Sequence, residues 1–437
     1  MTTLLSQTAY KWLLELATDE GINASGKDEI YGCIFGRDSA ITILKILRVL
    51  EKHKDNSPFD LIELQNICRR SLLTLITLQG KEYNLESGEE PGKFIHEYRK
   101  EKKQYEHLIN SATPWYVYPD GKMRIYDSID ATPLTLIAIY RYWKLTGDDA
   151  FLLEVLSSVE RGLNWIITDG DKDKDNLLEY ELPKTRKHGG LRVQSWTDSH
   201  ESLQKIDGSM PEYPIAPVEV QGYAWLALIL WADFYRDEGR TFSRTSGFAN
   251  KLSKYAKAMK KRFNELFLFE EEQGVFAAQA LDGYKNQIRT VTGNPLLLLW
   301  AAYPKNNTVY SILEKGYVQD LVDRAFSQDL FDPDFGIRTM SIYAATFNSG
   351  QNSYHNGSFW PKLNGMIHEG LEHFGFEQEA EKLKAAALKP IEHFGTPIEL
   401  YVKGENGDYL EFKSETGQVS CKNQAWSAAV TLDLLTS

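Results

Sequence analysis

Apolar residues at helical spacing recur through almost the whole chain, and every second stretch of this kind is introduced by a polar motif marked by Gly or Pro. The spacing predicts twelve helices, approximately over 4–18, 37–53, 60–79, 130–146, 149–168, 217–238, 249–268, 295–303, 308–326, 359–373, 377–388 and 424–435. The even-numbered ones follow F-G-R-D-S, Y-D-S-I-D-A-T-P, Y-P-I-A-P-V-E-V, V-T-G-N-P, Y-H-N-G-S-F-W-P and C-K-N-Q-A-W in turn. If successive helices pack as hairpins side by side, the even members form an inner ring with all their N-termini at one end. The stretches V-E-V-Q-G-Y-A-W-L-A-L-I-L-W-A and N-P-L-L-L-L-W-A-A-Y are apolar nearly all round, as inner helices must be. The expected fold is all-α, an (α/α)6 toroid of six helical hairpins. No low-complexity linker interrupts 1–437, so one domain is expected. An irregular all-α packing, with the motifs serving only as caps, is the alternative.

Two connections, 79–127 and 168–217, are far longer than usual, and such loops in a compact domain commonly form functional walls. The first carries H-E-Y-R and a hairpin turn at Pro119-Asp120-Gly121. The second carries D-K-D-K-D-N-L-L-E-Y. Asp171, Asp173, Asp175 and Glu179 copy the opening of a calcium loop, but Asn176 stands at the turn glycine and Leu182 at the bidentate Glu. A solvated Asx-turn is the expectation there, and no metal.

A formal net charge of −12 argues against binding phosphate backbones, so no nucleic-acid partner is expected. Ten Trp, 23 Tyr and 20 Phe supply more aromatic faces than a core requires, and such faces suit sugar rings. Trp12, Trp143 and Trp165 are expected to pack helices, and Trp196, Trp360 and Trp426 to lie near the mouth. Cys33, Cys68 and Cys421 form no C-x-x-C pair, which fits a reducing compartment. The first twenty residues read as a helix and not as a signal peptide, and no apolar run spans a bilayer. A cytoplasmic protein without membrane partner or cofactor is expected.

Cleaving a glycosidic bond takes one carboxylic acid to protonate the leaving oxygen and one carboxylate to activate water or attack the sugar. Asp198, in W-T-D-S-H-E-S beside Trp196, fits the acid. Glu399, in the Pro-stiffened G-T-P-I-E-L-Y, fits the second role, with Glu411 and Glu415 of L-E-F-K-S-E-T-G as rivals. Arg37 and Asp38 read either as an N-terminal ion pair or, for Asp38, as an acceptor of sugar hydroxyls. Asp127 and Asp130 invite the same two readings. His355 and Asn356 are turn residues or donors beside Trp360. The chain has no G-x-S-x-G, Walker loop or dinucleotide fingerprint, and His368 and His373 are spaced wrongly for H-E-x-x-H.

The ordered set G-R-D-S, H-E-Y-R, D-S-I-D-A-T-P-L, L-L-E-Y, W-T-D-S, P-V-E-V-Q-G-Y, Y-H-N-G-S-F-W-P, P-I-E-L and C-K-N-Q-A-W-S-A-A resembles the α-glucosidase domain of glycogen-debranching amylo-α-1,6-glucosidases. It is similar also to the related processing α-glucosidases and mannosylglycerate/glucosylglycerate hydrolases. The resemblance runs from about residue 31 to the C-terminus and implies an (α/α)6 barrel and inverting hydrolysis of an α-linked sugar. It implies Asp198 as general acid and Glu399 as general base, with Arg37, Asp38, Asp130, Glu219, His355 and Trp426 lining the sugar pocket. His96, Glu97 and Tyr354, inside the same motifs, complete the candidate lining. The base motif departs by one residue, and 410–417 only approximates the E-x-Y-x-x-x-T-G of the glycerate branch, so Glu411 is the second choice for the base. A small sugar or oligosaccharide is the expected partner, and a short α-glycoside fits better than a branched polymer. The alternatives are a non-catalytic carbohydrate-binding toroid, or a sugar epimerase or polysaccharide lyase working through His96, His200 or His355.

Overall fold

The computed structural model describes residues 2–53, 57–205, 207–237, 246–272 and 274–436. Among them are thirteen α-helices: α1 (Thr2–Leu16), α2 (Gly36–Lys52), α3 (Leu61–Thr77), α4 (Lys102–Ile109), α5 (Ala131–Thr146), α6 (Asp149–Ile167), α7 (Val218–Asp237), α8 (Ser246–Leu266), α9 (Leu297–Trp300), α10 (Val318–Ala325), α11 (Pro361–Phe374), α12 (Glu377–Phe394) and α13 (Ala425–Thr436). Strands are short and confined to the connections. No helix of the described residues is long and apolar enough to cross a membrane.

Helix neighbours follow from which faces are apolar. In α7 every residue from Val218 to Leu228 is buried, so the helix has protein on all sides. In α8 the buried positions Ala249, Leu252, Ala256, Met259 and Phe263 make one stripe at spacings of three and four, the mark of an outer helix. Packing runs α2–α5–α7–α9–α11–α13 and returns from α13 to α2, while α3, α6, α8 and α12 lie against members of that circuit. This is the neighbour order of an α/α toroid. Apolar residues from Ala9 to Leu432 form one contiguous buried cluster, in which each fully buried Leu or Phe contributes about 1.5–3 kcal/mol. Close approach needs small residues: a Cβ on Gly370 of α11 would stand 2.6 Å from the backbone where Leu299 meets Trp300 in α9.

Four expectations are corrected. The region expected as the helix 308–326 opens instead as a hairpin strand: Ala302–Lys305 pairs with Thr308–Ser311 across Asn306 and Asn307, both with positive φ. Two consecutive Asn in the left-handed region make the tight turn of a hairpin, and helix resumes only at Val318. The same hairpin cuts the preceding helix to α9, led in by a single 3₁₀ turn at Asn294–Leu296. Helix α4 was not expected; its signal is the capping box between Glu101 and Gln104. Helix α12 continues past Leu388 through Pro390, because Ile391 is buried with Phe335, Phe359 and Tyr401 and holds the last turn in place. Residue 238, expected to end the sixth helix, lies outside the described residues. The turn at Pro119-Asp120-Gly121 forms as expected, with the Gly121 N–H donating to the Tyr118 carbonyl at 2.9 Å.

Far from the helix N-termini, a buried charge network ties four inner helices together. The Lys45 ammonium of α2 donates to the Gly365 carbonyl and to Glu369 at 2.8 Å, and to Asp433 of α13 at 3.0 Å. Arg141 of α5 reaches the same Glu369 at 2.8 Å.

Candidate active site

The F-G-R-D-S motif places a helix start directly under a small sheet. Ile34–Phe35 pairs with Glu97–Arg99, which pairs in turn with Met123–Ile125, so H-E-Y-R stands beside the beginning of α2. Gly36 has to be glycine, since a Cβ there would lie 1.9 Å from the Ile95 carbonyl oxygen. The result is a wall bearing Phe35, His96, Glu97 and Arg99 above a floor bearing Arg37 and Asp38.

Arg37 turns away from its neighbour Asp38. Its guanidinium fork donates to Asp130 at 2.7 Å, to Asp198 at 3.0 Å and to the Ser195 carbonyl at 2.9 Å. Asp130, fully buried at the cap of α5, also accepts from the Ser128 hydroxyl at 2.5 Å. One side chain thereby joins α2, α5 and the 168–217 connection, and it fixes one oxygen of Asp198 while that side chain stays 23% exposed to the cavity. Asp38 is held by Gln424, whose amide donates at 2.8 Å just before the neighbouring helix α13.

Glu399 approaches on a different connection. Both of its oxygens accept: Oε1 from the Tyr354 hydroxyl at 2.6 Å and Oε2 from the Cys421 backbone N–H at 2.9 Å. Tyr354 in turn lies 3.2 Å from the Tyr31 hydroxyl, which accepts from the Gln418 amide at 3.2 Å. Donors to a carboxylate favour its ionised form, the state a general base needs. Burial pushes the Glu399 carboxyl up to about 7, against the pull of the Tyr354 and Cys421 donors. Burial likewise raises Asp198 to about 6, against Arg37, and Asp38 to about 7.

An aromatic cluster forms the rest of the lining. His355 stacks on Trp360 with ring centres 4.7 Å apart, and Trp196 and Trp426 meet Trp360 edge-on at 5.8 and 6.0 Å. His355 accepts from or donates to the Ser199 hydroxyl at 2.8 Å, and burial holds both His355 and His96 well below the ordinary histidine range. Behind Trp196, the fully buried Lys362 places its ammonium 4.0 Å from the indole centre, a cation–π contact. Burial pushes Lys362 down and its neighbour Glu219 up, and the Lys362 ammonium has no hydrogen bond among the described residues.

A cavity of about 330 Å³ results. Of the residues singled out from the sequence, it brings together Arg37, Asp38, His96, Glu97, Trp196, Asp198, Tyr354, His355, Trp360, Glu399 and Trp426. Asp130 and Glu219 lie beneath its floor, fully buried. Asp127 lies elsewhere, in an ion pair with Arg186 at 2.8 Å, because Arg186 and the Leu191 N–H turn it away from the cavity. Asn356 bonds to Ser353 and the Thr346 carbonyl and borders an outer groove. Glu411 faces Lys422 at 3.2 Å on the hairpin that ends in Tyr409–Glu411, outside the cavity. His200 is exposed and outside it as well. Trp143 and Trp165 are buried as packing residues and Trp12 packs half-buried against the core. The sequence reading missed Tyr31, Arg99, Gln418 and Gln424; Arg99 and Gln424 sit inside motifs already noted, whereas nothing local marks Tyr31 or Gln418.

Residues 74–433 match the family model described as amylo-α-1,6-glucosidase. Comparison with curated protein sequences gives no match. Among solved structures, the chain is similar to the GH63 mannosylglycerate hydrolase from Thermus thermophilus in complex with Tris, at 14% identity and a TM-score of 0.64 over 98% of this chain and 99% of that one. The same hydrolase in complex with glucose aligns equally, at 14% identity and a TM-score of 0.64 over the same shares. It is also similar to a Streptococcus pneumoniae protein from a family of metal-independent α-mannosidases, in a non-productive complex with α-1,6-mannobiose, at 13% identity and a TM-score of 0.61 over 99% and 92%. The family model spans most of the chain; the protein belongs to the amylo-α-1,6-glucosidase family and is a glycoside hydrolase.

Proposed function

We propose that the protein hydrolyses a short α-glycoside with inversion, inside a single (α/α)6 domain, with Asp198 as general acid and Glu399 as general base. The observation that carries this reading is that two carboxylates, Asp198 partly exposed and Glu399 buried, enter one cavity from separate connections with opposite surroundings. Asp198 has one oxygen held by Arg37 and stays open to the cavity, so it can present a proton to a leaving oxygen. Glu399 has both oxygens fed by donors and suits a water-activating base. Arg37, Asp38 and the Trp196–Trp360–Trp426 cluster would hold the sugar between them. The partners' approach from different sides of the ring supports room for a water molecule, about 6.5–9.5 Å between carboxyls, in place of the roughly 5–5.5 Å of a nucleophile pair.

Proton NMR in the first minutes of hydrolysis of an α-glycoside tests the stereochemistry: β-sugar is expected first, and initial α-sugar removes the inverting mechanism. Asp198→Asn and Glu399→Gln should each lower turnover about 10²–10⁴-fold with an unchanged circular dichroism spectrum. Glu411→Gln should stay near wild type; loss there with activity retained in Glu399→Gln would move the base to Glu411.

A further inference from the structure

The connection that carries Asp198 opens with an acidic turn whose Asp171, Asp173, Asp175 and Glu179 stand at positions 1, 3, 5 and 9 of a calcium loop. Its backbone bends as such a loop does. Asn176, at the sixth position where glycine is usual, has φ 73°, and Asp171 accepts from the N–H groups of Asp175 at 3.0 Å and Asn176 at 3.1 Å. Carboxylate oxygens of Asp171, Asp173 and Glu179 lie within 4.8 Å of one another, close enough to share one cation.

A cation from elsewhere in the chain already stands against three of the four acids, all but Asp171. Lys285, at the turn between Ala280–Leu281 and Gln287–Ile288, places its ammonium 2.8 Å from Asp173 and 3.1 Å from Asp175, and in contact with Oε1 of Glu179. Glu179 is fully buried, and its second oxygen, Oε2, has no hydrogen bond among the described residues. An ammonium has three donors and is spent on three carboxylates; a calcium ion, with six to eight oxygen ligands, would also answer the oxygen that Lys285 leaves unmet.

We propose that Lys285 is the built-in cation of a calcium-type loop, standing where a divalent ion would stand, and that the loop binds calcium once that side chain is removed. A fully buried carboxylate among other acids needs a positive partner, and here the partner is tethered 106 residues away in sequence. The same contact clips the 280–288 hairpin onto the start of the connection that bears Asp198, so the connection is fixed without a free metal ion.

The test reads binding and melting, not turnover, and so stands apart from the hydrolytic reading. Wild-type chain, Lys285→Ala and Lys285→Met are titrated calorimetrically with CaCl₂ and MgCl₂ and melted in EDTA and in CaCl₂. Wild type is expected to take up no calcium and to melt at one temperature in both. Lys285→Ala is expected to melt lower in EDTA, to bind one calcium per chain, and to regain its Tm with calcium more than with magnesium, which demands stricter octahedral geometry. Lys285→Met, which keeps the apolar stem, is expected to behave likewise. Folded Lys285→Ala and Lys285→Met that take up no calcium would overturn the proposal, as would wild type that binds calcium stoichiometrically and loses Tm in EDTA. If Lys285→Ala folds only when calcium is present, that dependence is itself the expected result.

Discussion

Single side chains set the ionisation of this site, and two of them act through others. Tyr354 donates to Glu399 and so favours its ionised form; in Tyr354→Phe that donor is gone and the base titrates higher. With Asp198 near 6 and Glu399 near 7, kcat/KM should follow a bell centred between those values, and in Tyr354→Phe the centre should move to higher pH. A profile that keeps its centre would leave Tyr354 with a structural role only. Lys362 is the other case. Its charge lies behind Trp196 and among Asp38, Asp130 and Glu219, so Lys362→Met loses both the cation–π contact and the offset to those acids. The expected outcome is a raised KM, about 5- to 30-fold for a loss of 1–2 kcal/mol, with kcat less affected and altered quenching of tryptophan by sugar. Equal losses in kcat and kcat/KM would place Lys362 in the chemical step instead.

Helices meet at two kinds of seam, and the two respond differently to substitution. Apolar contacts such as Gly370 on α9 depend on shape, whereas the junction of α2, α5, α11 and α13 depends on compensated buried charge. Lys45→Met removes one cation from Glu369 and Asp433, and breaking a buried pair costs about 3–5 kcal/mol. Arg141 and Arg48 still face the same acids, so the lower end of that range is expected, read as a fall in Tm. Because the network lies away from the helix N-termini, hydrolysis per folded molecule should remain near wild type; a large loss of kcat would mean that the two ends of the ring are coupled. This seam was invisible in sequence. Lys45 is 324 residues from Glu369 and 388 from Asp433 in the chain, and no local pattern pairs them.

Across the whole molecule, buried carboxylates of opposite character govern stability against pH. Asp38, Asp198 and Glu399 titrate higher in the fold than in the unfolded chain, so their contribution is fully present below the unfolded value near 4 and is lost as pH rises through about 6 to 7. Asp433, held down to about 2 by Lys45 and Arg48 against burial, contributes stability that is present above its unfolded value and is lost only as pH falls through about 2. Wild-type Tm should therefore fall between pH 5.5 and pH 8, and Glu399→Gln should flatten that fall, gaining of the order of 2 kcal/mol at pH 8 while losing activity. An unchanged slope in scanning calorimetry would show that Glu399 is not ionised at a cost in the native state. The sequence by itself determined the helices with strong periodicity, the inner and outer faces, and the motifs at the helix mouths, because burial pattern and turn chemistry are local properties. It also singled out Asp198, a carboxylate beside aromatic and hydroxyl residues in a segment too polar for a core, and Glu399, in an apolar, Pro-stiffened loop. Only the tertiary structure decided which acids share a cavity. Asp127 and Asp130 belong to one motif, yet Arg186 takes the first and Arg37 the second, and Tyr31, Gln418 and Gln424 reach the site through contacts spanning more than 300 residues of chain that no local pattern encodes.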